Sequence, residues 1–124
     1  MKYSQLGRTG IDVSRVCLGT MTWGKQNTQA DADEQIAFAL DQGINFFDTA
    51  EMYAVPPTPE TYGKTESIIG NWLSRHASRR EEMVLATKIA GNGLSWVRGG
   101  GDVTGEAIIA SIDQSLDRLK TDYI

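Results

Sequence analysis

The chain has 124 residues, of which 40% are hydrophobic and 23% are charged, with a net charge of −4. This composition is typical of a folded globular protein and argues against a disordered or fibrous chain. The acidic balance, without a run of Lys or Arg, argues against nucleic acid and membrane surfaces as partners, and no apolar stretch is long enough to cross a bilayer.

The predicted elements alternate between strand and helix. In chain order they are a β-hairpin at residues 2–14, a strand at 15–20, a helix at 30–42, a strand at 44–48, a helix at 64–77, a strand at 83–88, a helix between Thr104 and Lys120, and the start of a strand at 122–124. Loops are predicted at residues 54–62, with all three prolines, and at 90–103, with five glycines, because these residues interrupt regular structure.

Local signals support these assignments. Gly10 suits a tight hairpin turn, because glycine tolerates positive φ. Asp31 is expected to cap the first helix and Gly43 to end it. The predicted buried stripes, at helical spacing, are Ile68, Ile69, Trp72 and Leu73 in the second helix, and Ala107, Ile108, Ile112, Leu116 and Leu119 in the third.

Apolar strands that alternate with amphipathic helices predict an α/β protein with a parallel sheet. A dinucleotide-binding open sheet is the competing fold, but its Gly-x-Gly-x-x-Gly turn is not matched by residues 19–24. The long first strand-to-helix connection favours a (β/α)8 TIM barrel. We therefore interpret residues 1–124 as the N-terminal portion of one barrel domain, with an N-terminal β-hairpin.

A complete barrel takes about 250 residues, so this chain is expected to leave an open sheet edge. Several side chains are expected to face inward without opposing strands, namely Val16, Leu18, Phe46, Val84 and Leu85. Either residues 1–124 are part of a longer enzyme, which we favour, or the fragment covers its open edge by self-association.

Two predicted strands end in a charged residue, Asp48 and Lys88. Functional groups of parallel barrels lie where strands run into the following loops. Adjacent strands are about 4.8 Å apart, so Asp48 and Lys88 are expected to pair at one rim. Tyr53 follows Asp48 by five residues, and this distance allows the loop to fold back over the rim.

This trio has a chemical logic. The reference pKa of tyrosine is about 10, and a nearby ammonium stabilises the phenolate. A carboxylate that binds Lys88 fixes its position and keeps it charged, so Tyr53 is predicted to be a general acid that protonates a developing alkoxide. The alternative is an Asp48–Lys88 ion pair that only joins two strand ends, with Tyr53 as a surface aromatic.

The sequence also resembles a known family, the aldo-keto reductases, and most closely its Tas-like branch. The resemblance is collinear over the whole chain, and its motifs are residues 19–24, 43–53, 62–66, 86–88 and 115–124. It implies NADPH-dependent reduction of a small-molecule aldehyde or ketone, with Tyr53 as the proton donor and with Lys88 and Asp48 tuning it.

The resemblance also implies a cofactor site. Gly19, Thr20 and Met21 would lie against the nicotinamide half of NADPH together with Asp48, and Trp23 would line the substrate pocket. The family's fourth catalytic residue, a histidine, would come after residue 124, so the resemblance implies that the isolated 124-residue chain is inactive and binds NADPH weakly at most. His76, the only histidine, is expected to be a solvated helix-end residue and not its substitute.

Two other functions are compatible with the sequence. A cofactor-binding regulatory module on the same scaffold is one alternative, and a self-associating barrel fragment is the other. A single cysteine and a single histidine exclude an internal disulfide and a Cys/His metal cluster. The start of the chain has no apolar signal-peptide core, and we expect a cytoplasmic protein.

Overall fold

A computed structural model describes all 124 residues. Its elements are β1 (Tyr3–Gln5), β2 (Asp12–Ser14), β3 (Cys17–Gly19), α1 (Gln29–Asp41), β4 (Phe46–Asp48), α2 (Lys64–Arg75), β5 (Val84–Ala86) and α3 (Gly105–Leu119), with short 3₁₀ segments at Ala77–Glu82 and Arg98–Gly100. None of the helices combines the length and the apolar character that a membrane crossing requires.

The N-terminal hairpin closes one end of the sheet. β1 and β2 pair antiparallel, as predicted. The hairpin is tied to the start of β4, because the backbone N–H of Ser14 donates to Asn45 Oδ1 at 2.7 Å and the backbone N–H of Asn45 donates to Ser14 Oγ at 3.1 Å. The hairpin therefore occupies the N-terminal ends of the strands and leaves their C-terminal ends free for a site.

β3, β4 and β5 form a parallel sheet in that order. Leu18, Phe47 and Leu85 are aligned across the three strands, and they pack with the helices in the main hydrophobic cluster. The prediction that Leu18 and Leu85 face inward was therefore wrong. Side chains alternate along a strand, so the opposite, open face carries the neighbours of these residues, including Phe46 and Val84.

Helix α1 begins with a capping box. The Thr28 hydroxyl accepts the Asp31 backbone N–H at 3.2 Å, and the Asp31 carboxylate accepts the Thr28 backbone N–H at 2.7 Å. Thr28 is the cap and Asp31 its reciprocal partner, which corrects the prediction of Asp31 as the cap. At the other end Gly43 has a φ of 78°, a left-handed conformation that favours glycine.

Helices α2 and α3 pack closely against each other. The α2 stripe is buried as predicted, whereas Ile108 and Ile112 of α3 are 38% and 37% exposed. The buried residues of α3 are Ser111, Ser115 and Leu119. A Cβ on Gly70 would overlap the backbone carbonyl oxygen of Arg118, so the close approach selects small residues, and the predicted α3 stripe was only partly correct.

Candidate active site

The parallel register brings three strand ends to one rim. Gly19, Asp48 and Ala86 are aligned across β3, β4 and β5. Thr20 fixes the first two ends to each other, because its backbone N–H and its hydroxyl donate to the Asp48 carbonyl oxygen at 3.1 and 2.8 Å. The residues that follow these strands are therefore held side by side.

Asp48 and Lys88 form the predicted ion pair at this rim. Lys88 Nζ lies 2.7 Å from Asp48 Oδ1 and also donates to the Thr49 carbonyl oxygen at 2.8 Å. The side chains of Lys88 and Asp48 are 47% and 40% exposed. The ammonium thus has two fixed oxygen partners and still faces open space.

Tyr53 folds back over the pair. Its loop turns at once, because the Tyr53 backbone N–H donates to the Ala50 carbonyl oxygen at 3.1 Å. Lys88 Nζ lies 4.9 Å from the centre of the Tyr53 ring, within the range of a cation–π contact. The structure therefore brings Asp48, Tyr53 and Lys88 together.

The electrostatics of the rim favour a charged Lys88. Burial by itself lowers the pKa of Lys88, but the hydrogen bond to Asp48, the interaction with Tyr53 and the negative charge of Asp48 together raise that pKa above its ordinary value. An ammonium is therefore maintained beside the phenol at neutral pH.

The residues predicted to bind the cofactor differ in how far they are exposed at the rim. A Cβ on Gly19 would meet no atom within 4 Å, and Met21 is exposed, so both border the open rim. Thr20 is buried, with its hydroxyl committed to Asp48. Its backbone N–H and carbonyl oxygen are also bonded, to Asp48 and Trp23, so Thr20 supports the rim from beneath instead of presenting a free group there.

Trp23 is not at the rim with the catalytic candidates. It is 1% exposed and belongs to the main hydrophobic cluster. Its indole N–H donates to Gln35 Oε1 at 2.9 Å, and its carbonyl oxygen accepts the Thr65 hydroxyl at 2.7 Å. A large aromatic that joins a loop to two helices is buried by packing, so the structure gives Trp23 a core position instead of a place in the predicted substrate pocket.

The sequence and the fold together match known proteins. The family model of the Aldo/keto reductase family matches residues 15–124. The chain belongs to the aldo-keto reductases. It is 44% identical to "Protein tas" of Escherichia coli over 127 residues, which cover all of this chain and 36% of that protein. It is also 44% identical to "Uncharacterized oxidoreductase YrpG" of Bacillus subtilis over 132 residues, which cover all of this chain and 38% of that protein.

Solved aldo-keto reductase structures show the same fold. The putative aldo-keto reductase PA4992 of Pseudomonas aeruginosa superposes with a TM-score of 0.75 at 30% identity, over 98% of this chain and 44% of that one. A second structure of a putative aldo-keto reductase from that organism gives 0.74 at 31% identity, over 98% and 43%. The chain thus spans less than half of these relatives, and the predicted N-terminal part of a (β/α)8 barrel with its hairpin is confirmed.

A buried charged network lies beside the rim of this aldo-keto reductase and was not predicted from the sequence. Its carboxylates are Glu51 and Glu66, both 0% exposed, and its guanidinium groups are Arg98 and Arg118. One signal was available in the sequence. Glu66 shares the apolar face of α2 with Ile69 and Leu73, at the spacing i, i+3, i+7, where an acid requires a buried partner.

Cys17 lies on the exposed side of β3. Burial raises the pKa of its thiol, the negative charge of Asp48 raises it further, and Lys88 partly opposes both effects. Since the thiolate is the nucleophilic form, the raised pKa favours the less reactive thiol form of Cys17 at neutral pH.

Proposed function

We propose that this chain carries the proton-donating half of an NADPH-dependent reductase that converts aldehydes or ketones to alcohols. The observation that carries the proposal is the contact set of Lys88, whose Nζ lies 2.7 Å from Asp48 Oδ1 and 4.9 Å from the centre of the Tyr53 ring. Membership of the aldo-keto reductase family supports the reaction class.

In this proposal each residue of the trio has one role. Tyr53 donates its phenolic proton to the carbonyl oxygen of the substrate as negative charge develops there. The Lys88 ammonium stabilises the phenolate that this step leaves behind. Asp48 and the Thr49 carbonyl hold the ammonium in place through bonds of 2.7 and 2.8 Å.

In the proposed complex the nicotinamide ring would lie at the open rim beside Gly19. Bound NADPH would supply the hydride that reduces the carbonyl carbon. Gly19 has no side chain, and a Cβ added to it would have no neighbour within 4 Å, so it leaves open space beside Asp48, its register partner on β4. We assign Gly19, Met21 and the Asp48 side chain to the nicotinamide side of the site, and Thr20, which is buried and bonded to the Asp48 backbone, to its support.

The proposal is tested by following aldehyde-dependent oxidation of NADPH in the protein at its natural length. Tyr53→Phe removes the phenolic hydroxyl, which carries the proton to be donated, and keeps the aromatic ring and its packing. We expect kcat to fall by roughly 10²-fold or more, because positioned general acids contribute on that order. A panel of aldehydes and ketones, with NADH as the alternative reductant, defines the substrate and cofactor preference.

Tyr3→Phe is the matched control. Tyr3 lies at the hairpin end of the sheet, where its hydroxyl donates to the Gly43 carbonyl oxygen at 2.7 Å, and its replacement is expected to leave kcat unchanged. Wild-type turnover by Tyr53→Phe would show that Tyr53 is not the proton donor.

A further inference from the structure

We propose that Glu51 and Arg98 form a positioning pair that holds Tyr53 and Lys88 at their working separation. The inference rests on the proposed reductase function and extends it to residues that touch neither substrate nor cofactor. Glu51 lies between Asp48 and Tyr53 in the chain, and Arg98 comes from the glycine-rich loop that follows β5.

The backbone of Glu51 links the two loops that carry the trio. Its N–H donates to the Lys88 carbonyl oxygen at 3.1 Å, and its carbonyl oxygen accepts the Gly63 N–H at 2.7 Å. The loop that bears Tyr53 is thus fastened on one side to the residue that carries the ammonium and on the other to the start of α2. A displacement of Glu51 would move Tyr53 relative to Lys88.

The carboxylate of Glu51 closes the loop after β5. Its Oε1 accepts the Ala90 backbone N–H at 2.6 Å and lies 2.7 Å from Arg98 Nη1, while Oε2 lies 2.9 Å from the same nitrogen. Arg98 Nη2 donates to the Ala90 carbonyl oxygen at 2.9 Å. The Glu51–Arg98 ion pair therefore binds both the backbone N–H and the carbonyl oxygen of Ala90, which lies two residues after Lys88.

The backbone at Arg98 is consistent with a specific requirement for this side chain. Its φ is 48°, in the left-handed region that residues other than glycine seldom adopt, and the next two residues are glycines. A conformation of this kind persists only where surrounding contacts determine it. The bonds to Glu51 and Ala90 supply those contacts.

A second pair extends the network to the residue that precedes Lys88. Arg118 Nε lies 2.6 Å from Glu66 Oε2, and Glu66 Oε1 accepts the Thr87 hydroxyl at 2.6 Å. Arg118 Nη2 is 3.9 Å from Glu51 Oε2, so the two pairs share one balanced set of charges. Thr87 directly precedes Lys88, and Ala90 follows it by two residues. The network therefore holds the chain on both sides of the lysine.

Arg98→Met tests the pair with the smaller risk to folding, because Arg98 lies on a loop and Glu51 is fully buried. In the protein at its natural length we expect kcat for NADPH-dependent aldehyde reduction to fall on the order of tenfold, since small misplacements of catalytic groups reduce rate strongly. The dissociation constant of NADPH, measured by fluorescence, is expected to stay unchanged. Arg98→Lys, which keeps the charge, is expected to recover most of the rate.

The decisive readout is the same substitution in a Tyr53→Phe background. If Arg98 acts through Tyr53, Arg98→Met has no further effect on the residual rate there, because coupled positions are not additive. Arg75→Met, which breaks an exposed pair with Asp33 at 2.7 Å, is the control and is expected to leave kcat unchanged.

Two results would overturn the positioning role, and neither depends on the proposed function being wrong. One is wild-type kcat in Arg98→Met while Tyr53→Phe is impaired. The other is an equal loss from Arg98→Met in both backgrounds, which marks a general effect on folding. Full activity of Tyr53→Phe, in contrast, removes the proposed function itself and the positioning role with it.

Discussion

Among the single residues of the rim, Lys88 is kept charged by its contact with Asp48. The pair joins the ends of two adjacent strands, and the contacts of Lys88 with Asp48 and Tyr53 raise its pKa. A raised pKa means that folding favours the ammonium. This contribution to stability is therefore present at neutral pH and is lost as the pH rises through the raised pKa.

Asp48→Asn provides a pH-dependent test of this coupling. Removing the carboxylate lowers the pKa of Lys88, so the ammonium is lost at a lower pH. We expect the alkaline limb of the kcat profile to move to lower pH than in the wild-type protein. Profiles of both proteins, recorded from neutral to strongly alkaline pH, measure the shift.

Asp33→Asn is the matched substitution for that experiment. Asp33 pairs with Arg75 on the exposed side of α1 and α2, and its loss is expected to leave the alkaline limb in place. An unshifted limb in Asp48→Asn would mean that the ionisation of Lys88 does not control the rate.

The catalytic candidates were predictable for a simple reason. Asp48 ends one apolar strand and Lys88 follows the next by two residues, and parallel register places such ends at one rim. The buried position of Trp23 was not predictable, because it depends on Gln35 and Thr65, which lie far from it in sequence. Glu51 was equally hidden, because its partner Arg98 is 47 residues away.

At the scale of elements, the contact of α2 with α3 determines where Arg118 lies. Two glycines make the space: a Cβ on Gly70 would overlap the Arg118 carbonyl oxygen, and one on Gly63 would lie 2.5 Å from Arg118 Cδ. The helices therefore approach closely enough for Arg118 to reach Glu66 at 2.6 Å.

Gly70→Ala is expected to destabilise the protein by roughly 1–3 kcal/mol, because overpacking of a close contact costs about that much. The obstacle is a backbone carbonyl, which a side-chain rotation does not relieve. The free energy of unfolding in urea measures the effect.

Gly105→Ala is the control for that substitution, because it also lies in a helix and a Cβ there meets no atom within 4 Å. Its free energy of unfolding is expected to be unchanged or raised by up to about 1 kcal/mol. Equal stability of Gly70→Ala and Gly105→Ala would mean that the two helices are free to move apart.

Helical spacing predicted where α3 lies in the chain but not which residues it buries. Its strongest apolar positions, Ile108 and Ile112, are exposed, whereas Ser111 and Ser115 are buried. The Ser111 hydroxyl donates to the Ala107 carbonyl oxygen at 2.7 Å, so its polarity is satisfied within the helix. Close packing against α2 requires small side chains on the buried face of α3, and a pattern of hydrophobic residues does not predict where they lie.

At the scale of the whole molecule, the sheet has one covered face and one open face. The covered face was predictable from the alternation of strands and helices. The exceptions are Leu18 and Leu85, which face the helices and not the open face of the sheet. The chain spans 36% and 38% of the two curated relatives, and its rim holds the proposed proton donor with both of its supporting charges. We therefore expect the protein at its natural length to use this rim as one functional unit.

A double-mutant cycle between Tyr53 and Lys88 tests that unit most directly. The kcat for NADPH-dependent aldehyde reduction is measured in Lys88→Met, in Tyr53→Phe and in the double variant. We expect each single substitution to lower kcat by roughly 10²-fold or more and the double variant to be no slower than Tyr53→Phe, because the ammonium acts through the phenol. Losses that multiply in the double variant would show that Lys88 does not act through Tyr53.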